Sequence, residues 1–246
     1  MRWTDKGMYA GASRLRRLSL LIAALAATAL TSQSAQQPAL PPPTSATVQP
    51  QFVIVLDAAH GGTDIGAHLG AHLDEKDLTL ALSIRLRSML SARGIEVITT
   101  RETDVTLPPV KRAALANAHK PSACLILHAS DSGSGIHLFT SSLPPAKPTE
   151  FLPWDQAQAI YLRQSMRWAG EINSAMTHAG VPVTLGRTAL QPLDNLTCPA
   201  AAVEIAPLTK DGYITAQLTD PEYQSRILAG LAAAVEAWHR DWSTQP

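Results

Sequence analysis

The stretch FVIVLDAAHGG, residues 52–62, decides how the chain folds. Its first five residues form an unbroken apolar run, which predicts a short strand that is buried on both faces. The run is followed by Asp57, by His60 and by two glycines that let the backbone approach a ligand closely. The segment therefore predicts a strand of an α/β sheet whose carboxyl end carries polar side chains, where open sheets bind ligands.

Strand and helix patterns alternate along the rest of the chain. Residues 76–92 carry leucines at helical spacing, and Gly94 supplies the left-handed residue that ends such a helix. The other predicted helices are residues 108–119, 154–178 and 221–239, and the other predicted strands are residues 95–100, 124–128, 136–140 and 201–205. This order predicts one α/β domain, residues 51–243, with a mixed, mostly parallel sheet of about six strands flanked by helices.

The first 50 residues have the composition of targeting and spacer segments. Residues 18–30 are apolar, follow a basic cluster at residues 14–17 and precede small residues, which is the layout of a secretory signal. We expect residues 1–35 to be a signal peptide, with an uncleaved membrane anchor as the alternative. Residues 36–50 contain five prolines and no charge, which predicts a semi-rigid linker. We therefore expect export to the periplasm, the cell exterior or the cell wall.

The charge balance bears on the class of partner. The chain has 20 basic and 20 acidic residues, but five of the basic residues and one acid lie within residues 1–35. The remainder holds 15 basic and 19 acidic residues, so a mature domain is slightly acidic. Binding to nucleic acid calls for a basic face, and we expect no nucleic-acid partner.

The two cysteines, Cys124 and Cys198, allow two interpretations. An exported protein meets an oxidising compartment, which permits a disulfide. Each cysteine also stands at the start of a predicted apolar strand, and a pair of buried free thiols is at least as compatible with that position.

Two polar residues stand where apolar strands continue or end. Glu204 interrupts the run AAAVEIA, and a carboxylate there has to be desolvated at a cost of several kcal/mol unless a metal, a partner or a cleft compensates it. A glutamate that faces solvent at a strand end is the alternative. His128 ends the apolar strand of residues 124–128. The alternative to a ligand is a core histidine whose hydrogen bonds are satisfied by its neighbours.

His60, like His128, lies at the carboxyl end of a predicted buried strand. Glu75 opens the first predicted helix, where an acid can serve merely to complement the helix dipole. Taken together, two imidazoles and one carboxylate are a recurring zinc-binding set that leaves a fourth position for water. A nearby carboxylate that does not bind the metal can take the proton of that water.

Six blocks resemble, in the same order, the zinc-dependent N-acetylmuramoyl-L-alanine amidases, a cell-wall family with an amidase type 3 catalytic domain. The family motifs D-P-G-H-G-G, E-K-D, G-x-x-V-x-x-T-R, R-x-x-x-A-N, S-I-H-A-N and P-A-V-L-V-E are similar to residues 57–62, 75–77, 94–101, 112–117, 126–130 and 199–204. Six ordered blocks are far more specific than any one of them.

The resemblance implies a fold and a set of roles. It implies a mixed sheet flanked by helices, one Zn²⁺ bound by His60, Glu75 and His128, and Glu204 as the catalytic carboxylate. Asp57 is implied as a support behind the metal ligands. The implied reaction is hydrolysis of the amide bond between N-acetylmuramic acid and L-alanine in peptidoglycan. The implied partner is therefore peptidoglycan, while an activating protein and the oligomeric state are not specified.

The chain also departs from the family motifs in its loops. Ala58 and Ala59 replace proline and glycine, Ser130 replaces asparagine, and the residues from Ile205 onward replace L-G-F-L-S-N. These changes affect loop shape and substrate fit more than metal binding. Two alternatives consequently stay open: a peptidoglycan-binding module without catalysis, and a zinc peptidase that acts on stem peptides.

The other histidines and two arginines are expected to have ordinary roles. We expect packing or solvent contact for His68, His72, His119, His137, His178 and His239, and surface positions for Arg101 and Arg187.

Overall fold

The computed structural model describes residues 51–70 and 72–243. The predicted signal peptide and linker, residues 1–35 and 36–50, lie outside the described residues. The strands are β1 (Val53–Ala58), β2 (Glu96–Thr99), β3 (Ala123–Ala129), β4 (Ile136–Ser141), β5 (Val183–Thr188), β6 (Ala200–Ile205), β7 (Leu208–Lys210) and β8 (Tyr213–Ala216). The α-helices are α1 (Glu75–Ser91), α2 (Pro109–Ala118), α3 (Gln158–His178) and α4 (Pro221–Ser243).

Six strands form one sheet in the order β2-β1-β3-β6-β4-β5. All neighbours in this sheet are parallel except β4 and β6, which run antiparallel. The mixed, mostly parallel sheet of six strands predicted from the sequence is therefore confirmed. β7 and β8 form a separate two-stranded hairpin after the sheet.

The two faces of the sheet are covered unequally. Helices α1, α3 and α4 pack on one face and build the larger apolar core, to which Leu82, Trp168 and Leu231 contribute. The other face, which we call the thin face, is covered by α2 and by the segment around the short 3-10 helix Leu193–Asn195. Because successive strand residues alternate between faces, His128 and Glu204 share the thin face with Ile126 and Ala202.

Helix α1 shows how the larger core forms. Its leucines at positions 78, 82, 86 and 90 recur at i, i+4 spacing and are all buried. Full burial of each such side chain contributes about 1.5–3 kcal/mol. This stripe holds the helix against the sheet, and with it the first residue of the helix, Glu75.

A disulfide joins Cys124 to Cys198. The cysteines are 74 positions apart in sequence, but β3 and β6 are neighbours in the sheet, which brings the two Cα atoms to 6.3 Å. That separation is within the range that a disulfide can span. The interpretation of two buried free thiols is therefore wrong for this structure.

Three features differ from the sequence-based expectations. β5, at the edge of the sheet, was not predicted, and neither was the β7–β8 hairpin. The helix predicted for residues 154–178 is divided into a 3-10 turn, Trp154–Gln156, and α3, which begins at Gln158.

Within the described part of the chain, no helix combines the length and the apolar character needed to cross a bilayer.

Candidate metal centre and catalytic cleft

Three elements bring His60, Glu75 and His128 together. His60 lies in the loop after β1, Glu75 is the first residue of α1, and His128 lies near the end of β3. One potential ligand atom of each residue lies within 4.8 Å of those of the other two. Glu75 is central, with Oε2 at 3.1 Å from His60 Nε2 and Oε1 at 2.7 Å from His128 Nδ1.

The carboxylate of Glu75 is buried and held by four donors. The backbone N–H groups of Ala67 and Ala129 donate to its two oxygens at 2.9 and 3.1 Å, in addition to the two imidazoles. Burial alone would raise the pKa of Glu75, but the hydrogen bonds from His128, His60 and Ala67 outweigh burial and hold that pKa well below its usual range. Glu75 therefore remains ionised, as a metal ligand has to be.

Gly66 makes this arrangement possible. Its φ of +68° is unfavourable for other residues, and a Cβ there would lie 2.5 Å from Glu75 Oε2 and 2.7 Å from His60 Cδ2. The loop can therefore pass directly over the His60–Glu75 pair only with glycine at this position.

His60 is oriented from both sides. Its backbone has φ +63°, which is uncommon for a residue other than glycine and costs about 1–3 kcal/mol. Its Nδ1 lies 2.8 Å from Asp64 Oδ1, while Nε2 faces Glu75. The hydrogen bond with Glu75, followed by contacts with Asp64, raises the pKa of His60 despite its partial burial. A carboxylate on the far nitrogen is a common means of orienting a metal-binding histidine.

The residues present fit a metal ion. Two imidazoles and one carboxylate are a donor set that suits zinc and similar ions. The Nε2 atom of His128 is buried and has no hydrogen-bond partner among the residues that the structure describes. A ring with one nitrogen left unsatisfied, beside an ionised carboxylate and a second imidazole, can hold a metal in this cluster.

A row of polar side chains runs across three neighbouring strands on the thin face. His128 is paired in register with Glu204, and Glu204 is paired in register with His137 of β4. Paired residues project to the same face. The side chain of Glu204 is 33% exposed, and its Oε1 lies 2.7 Å from His137 Nδ1. Glu204 is thus a carboxylate that is accessible to solvent beside the cluster.

His137 is a functional candidate that the sequence analysis missed, because it was expected to be an ordinary packing residue. A signal was available, since His137 interrupts the apolar strand GIHLF in the way that Glu204 interrupts AAAVEIA. The antiparallel pairing of β4 with β6, which brings the two side chains together, is not readable from either segment alone.

A small pocket opens beside His128 and Glu204. Its volume is about 190 Å³, and its other lining residues are Phe139, Thr188, Leu190 and Ala202. The pocket therefore has a mixed lining, in which Phe139, Leu190 and Ala202 are apolar and His128, Glu204 and Thr188 are polar. A larger groove of about 910 Å³ lies near the opposite, amino ends of β3 and β6 and contains none of the candidate residues.

Asp57 occupies a different position from the one expected. Its carboxylate is buried and accepts hydrogen bonds from Thr100 Oγ1 at 2.6 Å and from Arg112 Nη1 at 2.7 Å. Within the described residues, none of its hydrogen bonds reaches His60, Glu75 or His128. Asp57 therefore fixes β1 against β2 and α2 and does not support the ligands by direct contact.

Arg101 also differs from its sequence-based expectation, which was a position at the surface. It is buried, and it donates hydrogen bonds to the carbonyl groups of Ala58, Ala59 and Lys76. Burial lowers its pKa. Arg101 thereby ties the loop before His60 to the start of α1. Arg187 is exposed and donates to the carbonyl groups of Ser141 and Leu143.

Known proteins resemble the chain in sequence and in fold. The model of the N-acetylmuramoyl-L-alanine amidase family, Amidase_3, matches residues 54–237. The germination-specific N-acetylmuramoyl-L-alanine amidase of Bacillus subtilis (strain 168) is 29% identical over 189 residues, which cover 73% of this chain and 76% of that protein.

Two further comparisons concern how much of a relative the chain covers and which fold it shares. The N-acetylmuramoyl-L-alanine amidase AmiC of Neisseria meningitidis is 31% identical over 113 residues, which are 44% of this chain but only 27% of AmiC. The solved catalytic domain of CwlV, an N-acetylmuramoyl-L-alanine amidase from Bacillus (Paenibacillus) polymyxa var. colistinus, has a TM-score of 0.60 at 23% identity. That match covers 77% of this chain and 99% of the CwlV domain, and it shows a shared fold. The chain therefore belongs to the N-acetylmuramoyl-L-alanine amidase family.

Proposed function

We propose that the protein uses one Zn²⁺, held by His60, Glu75 and His128, to hydrolyse the amide bond between N-acetylmuramic acid and L-alanine in peptidoglycan. The observation that carries this proposal is the convergence of these three side chains beside Glu204, a carboxylate exposed to solvent, in a chain of this family. The activity named for the relatives is cleavage of the same bond.

The residues divide the chemistry between them. When bound by these ligands, a zinc ion would polarise the scissile carbonyl and activate water at neutral pH. Glu204 accepts a proton from the attacking water at a carboxylate oxygen and returns it to the amine nitrogen as the carbon–nitrogen bond breaks. Asp64 keeps His60 oriented throughout.

The small pocket supports an alanine at the cleavage site. The scissile amide is flanked by the methyl group of the lactyl ether and by the methyl group of L-alanine. A pocket of about 190 Å³ with Phe139, Leu190 and Ala202 in its walls can accommodate either methyl group. His128 and Glu204 also line this pocket, so a methyl group bound in it would lie beside the reacting carbonyl.

Digestion of purified sacculi tests the proposal. The zinc-loaded protein, the chelated protein and the Glu204→Gln variant are incubated with sacculi, and the products are identified by mass spectrometry. We expect glycan freed of intact stem peptides from the zinc-loaded protein, none from the chelated protein, and release at least about 10²-fold slower from the Glu204→Gln variant. Shortened stems would identify a zinc peptidase instead, and binding without any product would identify a module that lacks catalysis.

We also propose that residues 1–35 direct export and are removed, that residues 36–50 are a linker, and that residues 51–243 are the zinc amidase domain. Peptidoglycan lies outside the cytoplasmic membrane, so this activity requires a route across it. Amino-terminal sequencing of the protein recovered from the periplasm or medium tests the proposal, and a mature end near residue 36 is expected. Retention of residues 18–30 in a membrane fraction would instead indicate an uncleaved anchor.

A further inference from the structure

We propose that His137 is a positioning residue for Glu204, which fixes the carboxylate in the orientation needed for proton transfer. This inference rests on the proposed function, in which Glu204 is the proton acceptor and donor.

The first support is the contact itself. His137 Nδ1 lies 2.7 Å from Glu204 Oε1, and the two residues face each other in the antiparallel pairing of β4 with β6. A carboxylate oxygen accepts hydrogen bonds, and the Nδ1–H of His137 is the donor in this pair. One oxygen of Glu204 is thereby held while the other stays available to a water molecule.

The second support is the packing of the Cε1–Nε2 edge of the imidazole ring. A Cβ at Gly133 would lie 2.1 Å from His137 Cε1 and 2.5 Å from His137 Nε2. Gly133 also has φ +92°, a conformation that residues with a side chain rarely adopt. The backbone of the loop at Gly133 therefore packs directly against the Cε1–Nε2 edge of the ring, next to the nitrogen that faces Glu204.

The loop that carries Gly133 is itself held in place. Ser134 Oγ accepts a hydrogen bond from the N–H of Thr209 at 2.9 Å and donates one to the Thr209 carbonyl at 3.3 Å. The N–H of Gly135 donates to the Pro207 carbonyl at 3.2 Å. The ring of His137 thus lies between a fixed loop and Glu204, with little freedom to rotate away.

Glu204 needs such a partner because packing alone does not fix it. Its side chain has three rotatable bonds and is one-third exposed, so several rotamers are open to it in the absence of a hydrogen bond. A misplacement of about 1 Å in a catalytic group can reduce the rate by about 10²-fold. His137 removes that freedom without occupying the solvent-facing oxygen.

Two substitutions at His137 separate the hydrogen bond from the volume of the ring. His137→Leu removes the donor and keeps an apolar side chain of comparable size, whereas His137→Asn places an amide N–H close to the position of Nδ1. We expect His137→Leu to lower kcat about 10- to 100-fold with unchanged KM and zinc content. We expect His137→Asn to recover most of the wild-type kcat.

A third variant acts on the ring from its Cε1–Nε2 edge. Gly133→Ala has to displace the imidazole and is expected to lower kcat with full zinc content, which keeps the test decisive if His137→Leu does not fold. His119→Leu, at the exposed end of α2, is the matched control and is expected to have wild-type kcat.

Three results would overturn the inference: wild-type kcat in His137→Leu, equal losses in the Leu and Asn variants, or wild-type kcat in Gly133→Ala. Glu204→Gln, measured in the same assay, separates this inference from the proposed function. If Glu204→Gln is inactive while His137→Leu is fully active, only the positioning role fails. If Glu204→Gln is fully active, the proposed function fails as well.

Discussion

Glu75 and Glu204 are both glutamates with an imidazole nitrogen at 2.7 Å, but their surroundings differ. The Glu75 side chain is 6% exposed and is bound by two imidazoles and two backbone N–H groups. The Glu204 side chain is 33% exposed and is bound by His137. The number of donors and the access of water, not the residue type, decide what each carboxylate can do.

The two environments suit opposite tasks. Four donors keep Glu75 ionised and its oxygens directed at His60 and His128, so Glu75 can hold a cation but is poorly placed to exchange a proton with water. Glu204 keeps one oxygen accessible, which a proton acceptor and donor requires. Four experiments test this contrast, beginning with the largest expected effect.

Glu75→Gln is expected to abolish metal binding and activity, because the amide removes the negative charge from the centre of the cluster. Zinc measured by mass spectrometry after dialysis should fall to background, and release of stem peptides should be undetectable. Glu222→Gln, on the exposed first turn of α4, serves as the control and should bind one zinc ion. Full zinc content in Glu75→Gln would contradict its role as a ligand.

Glu204→Gln is expected to keep one zinc ion and to lower kcat about 10²- to 10⁴-fold, the usual contribution of a general acid–base group. Single-turnover release of stem peptides, with zinc content measured on the same sample, checks both parts. Loss of zinc from this variant would mean that Glu204 is a ligand and that the contrast with Glu75 is wrong.

Asp64→Asn is expected to weaken zinc binding about 10- to 100-fold, because Asp64 orients His60 through Nδ1. The side chain of Asp64 is mostly exposed, so the effect on stability should be small. Competition with a chelator measures the affinity. Turnover at saturating zinc should stay close to that of the wild type, and a large loss there would place Asp64 in the catalytic step instead.

The pH dependence of zinc affinity is expected to come from His60 and not from Glu75. The pKa of His60 is raised above 6.5, chiefly by its hydrogen bond with Glu75, so its proton competes with zinc from near-neutral pH downward. The pKa of Glu75 is lowered, so Glu75 stays ionised over the same range. Affinity should fall about tenfold per pH unit for each displaced proton. Isothermal titration calorimetry with zinc at several values between pH 8 and pH 6 measures the affinity. An affinity that is constant over this range would contradict the prediction.

Much of the fold could be predicted because its central elements carry strong patterns. β1, β3 and β6 are nearly continuous apolar runs that are buried on both faces, and α1 has a regular leucine stripe. β5 has neither kind of pattern, because it is exposed at the sheet edge and contains Gly186. The β7–β8 hairpin did carry a signal, the Asp211-Gly212 pair that favours a tight turn.

The candidate site was predictable only in part, for a related reason. His60, His128 and Glu204 stand out because each is a polar residue at or near the end of a buried strand. The contacts of His137 and Arg101 arise from tertiary structure, through the antiparallel register of β4 and through backbone carbonyls that a buried guanidinium can reach. Such contacts leave no periodic pattern in the sequence.

The disulfide between Cys124 and Cys198 also restricts the conformations that are open to the unfolded chain. Closing a span of 74 residues removes conformational entropy from the unfolded state, worth about 4 kcal/mol in the loop-closure estimate. The enclosed span contains His128 and His137, while Glu204 follows it by six positions. Even in the denatured protein, therefore, the segments that become β3 and β6 stay close to each other. The chain then has fewer conformations to sample before these two segments pair.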